Sequence, residues 1–174
     1  NSAANLFHEP TLNAYHTGAA RTLARSYEKF LDDICTCICS AIDQWMKLAS
    51  VVSVTVNGPV GTLMPAGVEG PELQPMIMTD APQATERELK HSAAIAAAFN
   101  ESWTAWQQGL SGILSYPGFN GAPMPNVPMP LILLVSEAEV ELSPEKLAER
   151  MAWHFDDPDA LHSKDLFDAL SQAF

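Results

Sequence analysis

The sequence predicts a mainly α fold: two long antiparallel helices with Pro/Met-rich loops, one or two short strands and a C-terminal helical pair. Three observations carry that reading. Between Pro82 and Gly118 the bulky apolar residues Leu89, Phe99, Trp103, Trp106, Leu110 and Ile113 fall on one stripe, stepping by four and three from Phe99 onward. That is helical spacing, since a strand alternates its faces every second residue. A second such stripe runs through Leu23, Tyr27, Phe30, Ile34, Cys37 or Ile38, Ala41 or Ile42, and Trp45. The third observation is Ser143-Pro144-Glu145, a cap followed by proline at the first helical position and an acid against the helix dipole. Each aromatic ring on the 82–118 stripe hides on the order of 150–250 Å² when buried. That helix is therefore expected to be the spine of the core.

Taken in order, residues 1–174 read as a single domain in four parts. Residues 1–17, with scattered Leu6, Phe7, Leu12 and Tyr15 around Pro10, read as an N-terminal arm that docks on the body or on a neighbour. Residues 18–81 form a first helix–loop unit, whose helix runs from about Thr17 or Gly18 to about Ala49. Val52, Val54 and Val56 then alternate with Ser53 and Thr55 as a short strand, closed by Asn57-Gly58-Pro59. Residues 57–81 keep Leu63, Met64, Val68, Leu73, Met76, Ile77 and Met78 among their prolines and glycines, so this loop is expected to lie against something.

Residues 82–135 form the second unit. Asp80 is one N-cap for its helix and Thr85-x-x-Glu88 a second, capping-box candidate; Pro117-Gly118 ends it. A Pro/Met loop follows and leads into LILLV, which by length reads as a buried strand. Residues 136–174 supply the C-terminal helices, with Leu147, Met151 and His154 or Phe155 facing inward from one, and Leu166, Phe167, Leu170 and Phe174 from the other. The two helix–loop units share an order: long helix, Trp, Asn-Gly turn, Met-Pro loop, short apolar segment. An internal duplication would produce that order.

Composition narrows the function. Twenty-one acidic against nine basic side chains give a net charge of −12, which repels phosphate backbones and anionic membrane surfaces. Nucleic acid is excluded as a partner, and no apolar run approaches the ~20 residues of a membrane span. Apolar residues at 47 % and charged ones at 17 % argue against disorder. Cys35, Cys37 and Cys39 cannot form a disulfide framework, which favours a reducing, cytoplasmic or particle-associated location.

Motifs that carry chemistry are missing. His8-Glu9-Pro10 is not a zinc-protease helix, and Cys35-x-Cys37-x-Cys39 has the wrong step for zinc and no second pair. Gly109-Leu110-Ser111-Gly112 is one residue short of a nucleophile elbow, and no phosphate-binding glycine loop exists. The stretch His154-Phe155-Asp156-Asp157-Pro158-Asp159 with His162 is the nearest approach to a polar site, but it lacks the glycine and terminal glutamate of a calcium loop. No catalytic residue, metal or cofactor is expected. The reading that remains is a non-enzymatic structural or assembly subunit of a multi-copy complex, such as a phage-like or other particle component. It would act through a protein partner or through self-association as a homo-oligomer. Its expected contact surface is Leu63, Met64, Met76, Met124 and Met129 on the two apolar loops, with the i, i+4 basic line Arg21, Arg25 and Lys29 as a docking stripe for an acidic partner. The alternative is a small acidic binding module, an immunity or adaptor protein, for a basic partner; a metal-dependent enzyme ranks third.

Overall fold

The structure, a computed structural model, describes residues 9–115, 131–157, 160 and 162–174. The 118–130 loop with Met124 and Met129 lies outside the described residues, as do Pro158 and Asp159. The chain is mainly α, with a few short antiparallel strands.

Helix α1 spans Glu9–Leu48, 40 residues, or about 60 Å at ~1.5 Å per residue. It begins eight or nine residues before the expected start. Pro10 falls in its first turn, where a missing N–H removes no intrahelical bond, so the proline does not separate an arm from the helix. From Ile34 to Trp45 its apolar stripe is core, whereas residues 14–29 are exposed throughout.

The segment expected to be a loop is built into regular structure. Strands β1 (Ser50–Val51) and β4 (Val68–Glu69) pair with each other, and β2 (Val54–Asn57) turns through Gly58, at φ 61°, into β3 (Val60–Leu63). Leu73–Asp80 forms helix α2, with Leu73 and Ile77 buried. The apolar residues that looked like loop contacts are thus largely this protein's own core.

Helix α3, Glu86–Gln108, starts at the second of the two expected caps. The Thr85 hydroxyl accepts from the Glu88 N–H at 3.1 Å and the Glu88 carboxylate accepts from the Thr85 N–H at 2.9 Å. The two long helices run the same way along the molecule, not antiparallel. Phe30 meets His91 near the start of α3, while Trp45 meets Trp103 and Trp106 near its end. Helix α2 supplies the reversal. The Leu73 and Gln74 N–H groups donate to Asn100 Oδ1, and Ser92 Oγ donates to the Pro82 carbonyl, so α2 runs back along α3. Gly70, just before α2, lies so close to Trp45 that any side chain there would strike the indole.

α3 also ends earlier than its stripe implies, at Gly109, and Leu110–Ser115 becomes strand β5. Leu110 and Leu114 are four apart, a spacing that puts two residues on one face of a helix and equally on one face of a strand. Both are buried, while Ile113, the last residue of the expected stripe, points to the other face and is exposed. Strand β6, Leu131–Ser136, pairs with β5, and the four-stranded sheet has the order β2-β3-β5-β6. Leu63, Leu110 and Leu114 line its inner face in one register.

The C-terminal pair follows the sequence closely. After a 3-10 turn at Glu139–Leu142, helix α4 (Pro144–Phe155) is capped by Ser143 Oγ, which accepts from the Lys146 N–H. Helix α5 (Ser163–Ser171) buries Leu166, Phe167 and Leu170. Phe174 is half-exposed and packs edge-on against Phe99, with ring centroids 5.0 Å apart. One cluster of buried residues joins all five helices to β3, β4 and β5.

Candidate functional site

The residues expected to form a contact surface are dispersed. Leu63 is 1 % exposed and belongs to the inner face of the sheet, so it cannot meet a partner; Met64 beside it is 57 % exposed. Met76 is half-buried against the core from α2. Arg21, Arg25 and Lys29 are exposed on the free half of α1, and the Lys29 ammonium is paired with Asp33 one turn on. Met124 and Met129 lie outside the described residues. The apolar loop surface is not assembled among the residues that are described.

A different apolar surface is present. In the register of β5 with β6, Ile113 sits opposite Leu133 and Ser111 opposite Val135, so these residues share the outer face of the sheet. Ile113 is 49 %, Leu133 71 % and Val135 62 % exposed, and Ile132, at the far end of the inner face, is 61 % exposed. The LILLV pentad, expected to be buried, is therefore an edge strand with apolar residues open to solvent on both sides. A run of apolar residues is the mark of a strand covered on both faces. Among the described residues nothing covers it, and a strand without charge, proline or bulge lacks the usual protections of an edge.

The polar stretch at the end of α4 is partly gathered. His154 Nε2 lies 3.1 Å from Glu101 Oε2 on α3, and Glu101 Oε1 accepts from Arg150 Nε at 3.1 Å. The same arginine reaches the Glu141 carboxylate and donates to the buried Ser102 hydroxyl at 2.6 Å. A cavity of about 510 Å³ beside this network is lined by Lys90, His154, Asp156 and Asp157, with alanines of α3. A carboxylate-held imidazole is how a general base is oriented, but none of the lining residues is a serine, threonine or cysteine nucleophile. His162 is not brought to this site; its Nδ1 lies 3.2 Å from Asp165 Oδ2 on α5. No group of three metal-ligating side chains occurs among the described residues.

Two further groups were not marked as site residues by the sequence, where Tyr27 reads only as part of the α1 stripe. His91 on α3 is buried, its ring 4.3 Å from that of Phe155, and burial holds its pKa below the usual imidazole value. Tyr27 on α1 has its pKa raised, first by burial and then by Asp165. Both border a second cavity, between α1 and the starts of α3 and α5. His91 sits within the Ala-rich run of α3 with nothing in its spacing to mark it. Burial likewise raises the thiol pKa of Cys35 and Cys37, which keeps both protonated and unreactive.

No helix among the described residues is long and apolar enough to cross a membrane. No protein-family profile, curated protein or solved structure matches the chain.

Proposed function

We propose that the chain is a non-enzymatic subunit that associates with copies of itself into a multi-copy assembly. The observation that carries this reading is the open β5–β6 edge, where Ile113, Leu133 and Val135 leave apolar area in water at roughly 25 cal/mol per Å². Contiguous apolar patches on soluble monomers seldom exceed a few hundred Å² and mark contact sites when they do. Copies of this chain are the preferred occupant because β6 carries no charge. Two strongly acidic molecules can pair along β6 without placing a carboxylate of the strand itself in the contact, the nearest exposed acid being Glu137 just past its end. The first half of α1, with Tyr15 exposed, offers further surface of the same kind.

The test is mass. Light scattering of the wild-type protein gives a multimer, and Leu133→Lys with Val135→Lys lowers the mass to a monomer while circular dichroism is unchanged, since both side chains already face solvent. A wild-type monomer overturns the reading and moves weight to an acidic adaptor for a basic partner.

A further inference from the structure

We propose that the cavity between α1, α3 and α5 is a binding site for a small carboxylate carried on an apolar body, such as an aryl- or alkyl-substituted acid. This inference is independent of the assembly reading. The cavity has a volume of about 310 Å³, at the lower end of the ~300–1,000 Å³ typical of small-molecule sites. Its wall on one side continues the stripe of α1: Leu23 and Phe30 line it, with Leu166 of α5 opposite. The stripe that is core from Ile34 to Trp45 opens here, because α3 begins only at Glu86, alongside Phe30.

Three polar side chains, Tyr27, Arg87 and His91, line the same cavity as this apolar wall. Arg87 comes from the first turn of α3. It makes no ion pair among the described residues. His91 Nδ1 is 2.8 Å from the Arg87 carbonyl, an acceptor, so this nitrogen carries the proton and Nε2 is left with a lone pair. Tyr27 keeps its hydroxyl proton and is a donor.

The carboxylates at the rim are already engaged. Glu88 accepts from the Thr85 N–H at 2.9 Å, and Asp165 lies 3.2 Å from His162 Nδ1. The unspent charge of the site is therefore the guanidinium, whose planar fork matches a carboxylate in two parallel hydrogen bonds. An apolar body of one ring or a short alkyl chain then lies on Phe30, Leu23 and Leu166. A polyanion such as a nucleotide is disfavoured, since Arg87 is the one Lys or Arg among the described residues that line the cavity, and Glu88 lines it too.

Titration calorimetry with 3-phenylpropionate tests this, with 3-phenylpropionamide as the uncharged isostere. The expected result is saturable binding of the acid, with the amide and the Arg87→Gln variant each weaker by about tenfold or more, the range for losing a charge-assisted hydrogen bond. The His91 ring proton resonances shift on adding the acid to the wild-type protein and stay fixed in Arg87→Gln. Arg87 is exposed, so the variant folds and its melting temperature checks that. No saturation by 10 mM acid (about −2.7 kcal/mol), equal binding of acid and amide, or unchanged binding in Arg87→Gln overturns the proposal. The mass measurements above are unaffected by any of these outcomes.

Discussion

Arg150 is the side chain whose removal has the most predictable cost. Its side chain is 14 % exposed, and it ties α4 to α3 and to the 3-10 turn through Ser102, Glu101 and Glu141. Arg150→Met keeps the aliphatic stem and deletes only the guanidinium. The buried Ser102 hydroxyl then loses its donor, and Glu141 loses its counter-charge in a site where its own side chain is 26 % exposed. A hydrogen bond to a charged group contributes about 1.5–3 kcal/mol. Glu101 is half-exposed, so its share is that of a screened surface pair, about 0–1 kcal/mol. Burying the methionine offsets part of the loss, which leaves a destabilisation of about 3 kcal/mol.

Urea unfolding followed by far-ultraviolet circular dichroism measures it. The midpoint should fall with the slope unchanged, because the same surface is exposed on unfolding. Glu101→Gln, which touches only the screened arm of the network, should cost about 1 kcal/mol or less. A loss below 1 kcal/mol for Arg150→Met would falsify the idea that this network fastens the C-terminal helices to the spine.

Two more outcomes follow from the same packing. Gly112 sits at φ 156° on β5, where any Cβ would strike the Leu133 carbonyl, so Gly112→Ala should cost roughly 2 kcal/mol or more in the same assay by prising β6 away. His91 has a folded-state pKa below its unfolded value because of burial, opposed first by the hydrogen bond to the Arg87 carbonyl, so its contribution to stability is fully present above about pH 6.5 and is lost as pH falls below that. His91→Phe should remove this component, and a wild-type-minus-variant stability difference that stays flat between pH 7 and 5 refutes it.

How far the sequence was legible depended on whether local chemistry or tertiary contact set the outcome. Ser143-Pro144 and Thr85-x-x-Glu88 were readable because a cap is made within four residues. The 34–45 stripe was readable because a helix that long repeats its pattern. The end of α3 was not, since Leu110 and Leu114 satisfy helix and strand alike and the decision lies with β3 and β6, far away in sequence. The direction of α3 was hidden for a related reason: α2 was concealed in a stretch dense with proline and glycine. The same stretch misled the site reading, because Leu63 looks like an exposed loop residue until the sheet that buries it is known. His91 and Arg87 are brought to Tyr27 by the parallel course of α1 and α3, which no spacing records.

The order of strands adds a step to the assembly argument and a prediction with it. Each half of the chain runs from a long helix into an antiparallel strand pair, β2–β3 after α1 and β5–β6 after α3, and the helices point the same way. Within the chain the second strand of the first half, β3, pairs with the first strand of the second half, β5. The next such pairing would join β6 to β2 of another copy, and both are edge strands of the sheet among the described residues. That contact is heterologous, so it propagates into a ring or an open array and not a closed two-fold dimer. Blocking one edge on each of two populations separates the possibilities. Copies carrying Leu133→Lys and Val135→Lys retain only the β2 edge. Copies carrying Thr55→Lys and Val56→Lys, two exposed positions on β2, retain only the β6 edge. Each population alone should run as a monomer, and their mixture as a one-to-one dimer. If the β2-blocked copies dimerise unmixed, β6 pairs with itself, the contact is closed, and the chain stops at two.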